Sequence, residues 1–109
     1  MTSHIKPTFG EYVRRLRKEK NLTLTQLAAM LELDSANLSK IENDKREFDE
    51  KKLSLLSKAI DIAEIELKKE YFSSKLAMEI YATGCSNEIL KLAERKVKYL
   101  KTNNKEFAL

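Results

Sequence analysis

A chain of 109 residues, 42% hydrophobic and 35% charged, has the material for one ordinary core and too little length for a second independent one. Two glycines, one proline and long stretches of Leu, Lys, Glu and Ala favour helices over strands, so the expected fold class is all-α. The net charge of +4 permits a polyanionic partner without requiring one, and a single cysteine with a single histidine excludes an intrachain disulfide and a zinc site built from Cys and His.

Residues 1–8 read as a flexible, polar start without the apolar stretch of a signal peptide. Thr8 can cap a first helix in which Phe9, Val13 and Leu16 share a face, ending near Asn21. Thr23 and Gln26 have the Thr-x-x-Gln spacing in which each side chain satisfies the other's free backbone N–H, so a second helix starts at Leu24. Its inward residues are Leu27, Ala28 and Leu31, and it lasts only about two turns before Glu32-Leu33-Asp34 interrupts it. Asp34 caps a third helix, Ser35 to Asn43, with Leu38 and Ile41 turned inward.

Asp49 can cap a fourth helix carrying Leu53, Leu56, Ala59 and Ile60, with a bend at Asp61-Ile62. A long fifth helix, Glu64 to Ala82, bears Leu67, Tyr71, Phe72, Leu76 and Ile80. Gly84 can take the left-handed conformation that stops it, and Ser86 can cap a sixth helix, Asn87 to Lys101, striped with Ile89, Leu90, Ala93, Val97 and Leu100. The tail, 102–109, is expected to fray. No apolar run reaches the roughly 20 residues of a membrane span, so the expected setting is the cytoplasm, with no membrane contact. No nucleophile stands with a base, which argues against an enzyme and leaves no catalytic residue, metal ligand or cofactor to name.

Two short helices around a tight break, the second capped by Asp34 and polar on its outer face at Ser35, Asn37 and Lys40, meet the requirements of a helix-turn-helix. In that arrangement the second helix lies across the DNA backbone, its free N–H groups near a phosphate, and the third enters the major groove.

The stretch Leu22-Thr23-Leu24-Thr25-Gln26-Leu27-Ala28, followed by Leu38-Ser39-Lys40-Ile41-Glu42-Asn43-Asp44-Lys45-Arg46, resembles the Cro and phage-repressor (Xre-type) family of helix-turn-helix transcriptional regulators. The resemblance spans about Phe9 to Ile62 and implies a five-helix DNA-binding core at 9–62. Proteins of this size in the family include controllers of restriction-modification systems and repressors that bind palindromic operators as symmetric dimers. By position, the resemblance puts Ser35, Ala36, Asn37 and Lys40 at base edges and Asn43, Lys45 and Arg46 at phosphates. Thr25 and Gln26 stand where a phosphate is met, although the helix cap alone would also account for them. It further implies a partly buried ion pair between Arg17 and Glu42. Three residues depart from the pattern: Leu24 replaces a phosphate-reaching Gln, while Glu32 and Asp44 stand where glycine is usual. A left-handed backbone at Glu32 would cost about 1 kcal/mol.

Residues 63–101 then form a C-terminal helical hairpin whose apolar surface exceeds what the five-helix core can cover. Tyr71, Phe72, Leu76, Ile80, Ile89, Leu90, Val97 and Leu100 are the expected homodimer interface. The partners expected are a double-stranded DNA operator and a second copy of the chain. The alternative reading is an antitoxin-like module that neutralises a partner through its C-terminal helices and regulates its own promoter, with nothing in the residues identifying that partner. Arg14, Arg15 and Lys18, and the basic residues of the sixth helix, read as solvated faces, and Cys85 as a small packing residue.

Overall fold

Thr8 opens the first helix with a reciprocal pair of bonds: its Oγ1 accepts from the Glu11 N–H at 3.1 Å and its own N–H donates to Glu11 Oε1 at 2.9 Å. In this computed structural model, which describes residues 8–84 and 87–103, every regular element is helical. The order is α1 (Phe9–Glu19), α2 (Leu24–Met30), α3 (Ser35–Glu42), a 3-10 turn (Glu50–Lys52), α4 (Leu53–Ile60), α5 (Glu64–Thr83) and α6 (Asn87–Thr102). Expectations for the N-terminal segment before Thr8, for Cys85 and Ser86, and for the tail beyond Asn103 lie outside the described residues.

Caps fix where these helices start. Thr23 repeats the reciprocal bonding with Gln26, and Asp34 Oδ1 accepts from the Asn37 N–H at 2.7 Å. Asp49 accepts from the Lys51 N–H and opens the 3-10 turn rather than α4 directly, so α4 begins three residues later than the cap implies.

The helices also end alike. Asn21, Glu32, Asp44 and Asp61 all have positive φ, between 54° and 60°, although none is glycine. After α1, α2 and α3 two carbonyls of the last turn are satisfied by the amides beyond it, as in Leu33 N–H to Ala28 O at 2.8 Å and Glu32 N–H to Ala29 O at 3.2 Å. Glu32 and Asp44 therefore adopt the conformation for which glycine is the ordinary choice. Lys52 supports the first of them: its Nζ donates to Leu31 O at 3.0 Å and lies near Glu32 O, a cation at the C-terminal end of α2 where the helix dipole favours one.

The chain divides into two compact units, Met1–Lys75 and Leu76–Leu109. The first has its core between α1, α2, α3 and α4, with Val13, Leu27, Leu38 and Leu56 wholly or almost wholly buried. It runs past the boundary expected at Ile62, because Leu67 and Tyr71 of α5 belong to the same core. Tyr71, expected at a subunit interface, is 5% exposed; its ring meets Phe9 edge-on at 5.2 Å and its hydroxyl donates to Phe48 O at 2.9 Å. Burial raises the Tyr71 phenol above its usual range and keeps it a donor. In the second unit, no described residue of α6 is buried, and Leu76, Met78, Tyr81, Ile89, Leu90 and Val97 are all exposed.

At Gly10, α1 passes close against the end of α3. A Cβ there would collide with the Ile41 carbonyl oxygen and lie 2.7 Å from Asp44 Oδ1. Alanine is the better helix former, yet Gly10→Ala is expected to destabilise the fold by about 1–3 kcal/mol, because the neighbour is backbone and must move. Urea unfolding checks this: a variant at least as stable as the native chain would mean that the α1–α3 spacing is not set at Gly10.

Candidate nucleic-acid interface

The outer face of α3 is presented by what holds its inner face. Leu38 and Ile41 are buried, as their spacing requires, and Glu42 beside them is a buried charge, its side chain 3% exposed. Arg17 from α1 meets it with a fork: Nε donates to Oε2 at 2.7 Å and Nη2 to Oε1 at 3.0 Å. The third arm, Nη1, donates to Leu22 O at 3.0 Å, in the link to α2. The hydrogen bond to Glu42 raises the Arg17 guanidinium above its usual range, outweighing the burial that opposes it. One guanidinium thus ties the end of α1, the entry to α2 and the end of α3. A second tie lies at the other end of α1, where Thr8 Oγ1 donates to Asp44 Oδ2 at 2.8 Å.

On the opposite side of α3, Ala36 and Lys40 are exposed, and Ser35 and Asn37 half-buried. Thr25 and Gln26 are exposed at the N-terminal turn of α2, Gln26 with its Oε1 engaged in the cap. Asn43, Lys45 and Arg46 are exposed beyond α3. Asn43 Nδ2 donates to Ser39 O at 2.8 Å, so this amide also closes the end of α3. Arg46 folds back onto α3: its Nη1 donates to Asn37 Oδ1, while Asn37 Nδ2 donates to Asp34 Oδ2 at 3.2 Å. The face therefore joins two amides, a hydroxyl and three cations on one short helix and the loop after it. Such a set can donate to phosphates and to base edges, and no described group of His, Cys, Asp and Glu could hold a metal ion.

A family model described as helix-turn-helix matches residues 13–67, half the chain. The chain belongs to this helix-turn-helix family. It is a family of transcriptional regulators rather than of enzymes, and the similar proteins bear this out. The HTH-type transcriptional repressor RghR of Bacillus subtilis is 49% identical over 39 residues, 36% of this chain and 29% of that protein. The HTH-type transcriptional regulator PrpR of Mycobacterium tuberculosis is 38% identical over 65 residues, 60% of this chain and 12% of that one. The chain thus spans under a third of the length of these curated relatives. Among solved structures, the restriction-modification controller protein C.AhdI from Aeromonas hydrophila is 32% identical, with a TM-score of 0.50 over 54% of this chain and 86% of that one. The P22 c2 repressor, solved in complex with a synthetic operator, is 26% identical, with a TM-score of 0.51 over 57% of this chain and 94% of that one. The helix-turn-helix and its Cro-like and repressor-like setting, expected from Leu22 to Arg46, are those of the family. In this chain no described helix is long and apolar enough to cross a membrane.

Several residues that shape this face escape sequence reading. Lys52 supports the turn between α2 and α3 from 21 positions away, and Glu47, just past Arg46, is gripped by Lys75 at 2.9 Å. The Lys75 hydrogen bond is also the main reason that the Glu47 carboxyl sits below its usual range. The one signal available was Gly10, a poor helix former in the first turn of α1.

Removing Glu42 leaves Arg17 as an uncompensated, largely buried cation. Glu42→Ala is expected to cost about 3–5 kcal/mol. A thermal melt should fall by well over ~10 °C for a domain of this size, and an unchanged melt would remove the pair as the fixture of α3.

Proposed function

We propose that the chain binds a palindromic DNA operator as a homodimer and regulates transcription there as a repressor or controller. In this reading Ser35, Ala36, Asn37 and Lys40 meet base edges, while Thr25, Gln26, Asn43, Lys45 and Arg46 meet phosphates. The observation that carries it is the seating of α3: a buried fork fixes its inner face, and its outer face offers amide, hydroxyl and ammonium groups to solvent. Asn can pair bidentately with adenine and Lys can donate to guanine, while Ala36 offers an apolar contact to a thymine methyl. The family membership and the likeness to the P22 c2 repressor support the same reading.

Dimerisation falls to the C-terminal helices through Phe72, Leu76, Ile80, Ile89, Leu90, Val97 and Leu100; Tyr71 is spent on the core. Most of these side chains are exposed in the single chain, and a palindromic site calls for a two-fold reader. Burying them at roughly 25 cal/mol per Å² would drive association against its entropy cost.

Selection from a random DNA pool should enrich a palindrome with half-sites about one helical turn apart, roughly 34 Å, and binding should weaken steeply with salt. Asn37→Ala or Lys40→Ala should cost about 1–3 kcal/mol at one base position, whereas Lys45→Ala should weaken all sequences about equally and flatten the salt slope. A pool returned without an enriched palindrome would sink the operator reading.

Sedimentation at micromolar concentration should give a dimer mass, and Leu90→Lys with Val97→Lys should give a folded monomer with weakened operator binding. A native chain that sediments as a monomer would refute the dimer.

A further inference from the structure

Arg46 was expected at a phosphate, yet its guanidinium is engaged with a side chain of the proposed base-reading face. Asn37 sits between two opposite charges. Arg46 Nη1 donates to its Oδ1, and its Nδ2 donates to Asp34 Oδ2 at 3.2 Å; the other oxygen of the same carboxylate accepts from the Asn37 backbone N–H at 2.7 Å. Turning the amide over would set its NH2 against the guanidinium and its oxygen against the carboxylate, and both contacts would be repulsive. The amide is therefore locked in one orientation.

A carboxamide has two acceptor lone pairs and two donor hydrogens. Arg46 takes one of the lone pairs and Asp34 one of the hydrogens, which leaves one acceptor and one donor free for a base. Adenine presents one donor, N6–H, and one acceptor, N7, in the major groove; guanine presents two acceptors there. The locked amide complements the first and mismatches the second. We infer that Arg46 is a positioning residue for sequence recognition, holding the Asn37 amide in the orientation that pairs with adenine. This rests on the operator reading, with Asn37 at a base edge, and changes the role of Arg46 within it from anchoring the backbone to setting a base preference.

Two measurements on the full-length chain separate the inference from the reading beneath it. Without DNA, the side-chain NH2 resonances of Asn37 report the lock. Arg46→Ala should move them toward those of a freely exposed asparagine, with the thermal melt unchanged because Arg46 is exposed. Resonances unmoved by the substitution would overturn the inference.

With DNA, selection on the native chain, Arg46→Ala, Asn37→Ala and the double variant gives a base preference at every position. Arg46→Ala should reduce the adenine preference about tenfold at the position that Asn37→Ala also relaxes. The double variant should show no more loss there than Asn37→Ala alone. If Arg46→Ala instead lowered affinity for all sequences equally, with preferences intact and the salt slope reduced by about one, Arg46 would be a phosphate contact and the inference would fail. A native chain that enriched no site would overturn the operator reading and the adenine preference with it, whatever the resonances showed.

Discussion

Glu42 is the one charged residue buried among the described residues, and the placement of α3 depends on how that charge is satisfied. A carboxylate withdrawn from water is costly unless it is paired and hydrogen-bonded, and here a single Arg17 fork supplies both bonds while its remaining arm reaches Leu22 O. Three segments thus converge on one guanidinium. Hydrophobic burial of Leu38 and Ile41 would bring α3 onto the core at a range of angles, because burial is not directional. The fork is directional. Together with the close approach at Gly10 and the bond from Thr8 to Asp44, it holds α3 near both ends of α1 and leaves the face with Ala36 and Lys40 turned outward.

The turns around α3 have a cost of their own. Glu32 and Asp44 take left-handed backbone that glycine would take more cheaply, by about 1 kcal/mol for a residue such as Glu and less for Asp. The break between α2 and α3 is held by the amide bonds that close α2 and by Lys52, whose ammonium donates to the Leu31 carbonyl at that end. These contacts offset the strain locally, so the turn keeps its geometry without the usual residue.

Beyond α4 the chain divides its apolar side chains between two uses. Leu67 and Tyr71 close the first unit, the tyrosine bonded to Phe48 O in the loop that follows the proposed contact residues Lys45 and Arg46. Lys75 reaches the same loop through Glu47. The second unit, from Leu76 onward, leaves most of its described large apolar side chains exposed, the surface proposed for a second copy.

What the sequence determined by itself is what depends on near neighbours. The caps at Thr8, Thr23 and Asp34 and the inward turn of Leu38 and Ile41 follow from hydrogen bonds and periodicities spanning three or four residues, and the helices begin and end within a residue or two of where those signals put them. Arg17 and Glu42 were legible only through the family resemblance, since nothing local joins residues 25 positions apart. The tertiary structure decided the rest. Core and interface both favour aromatic residues at helical spacing, so periodicity alone does not separate Tyr71, which meets Phe9 and Phe48, from Phe72, which stays exposed. The family resemblance puts Arg46 with the backbone-contacting residues, but only the return of the loop onto α3 brings it to Asn37. Gly10 against Ile41 and Lys52 against Leu31 belong to the same class. Each joins groups that no short-range rule connects, and their meeting is set by the path of the folded chain.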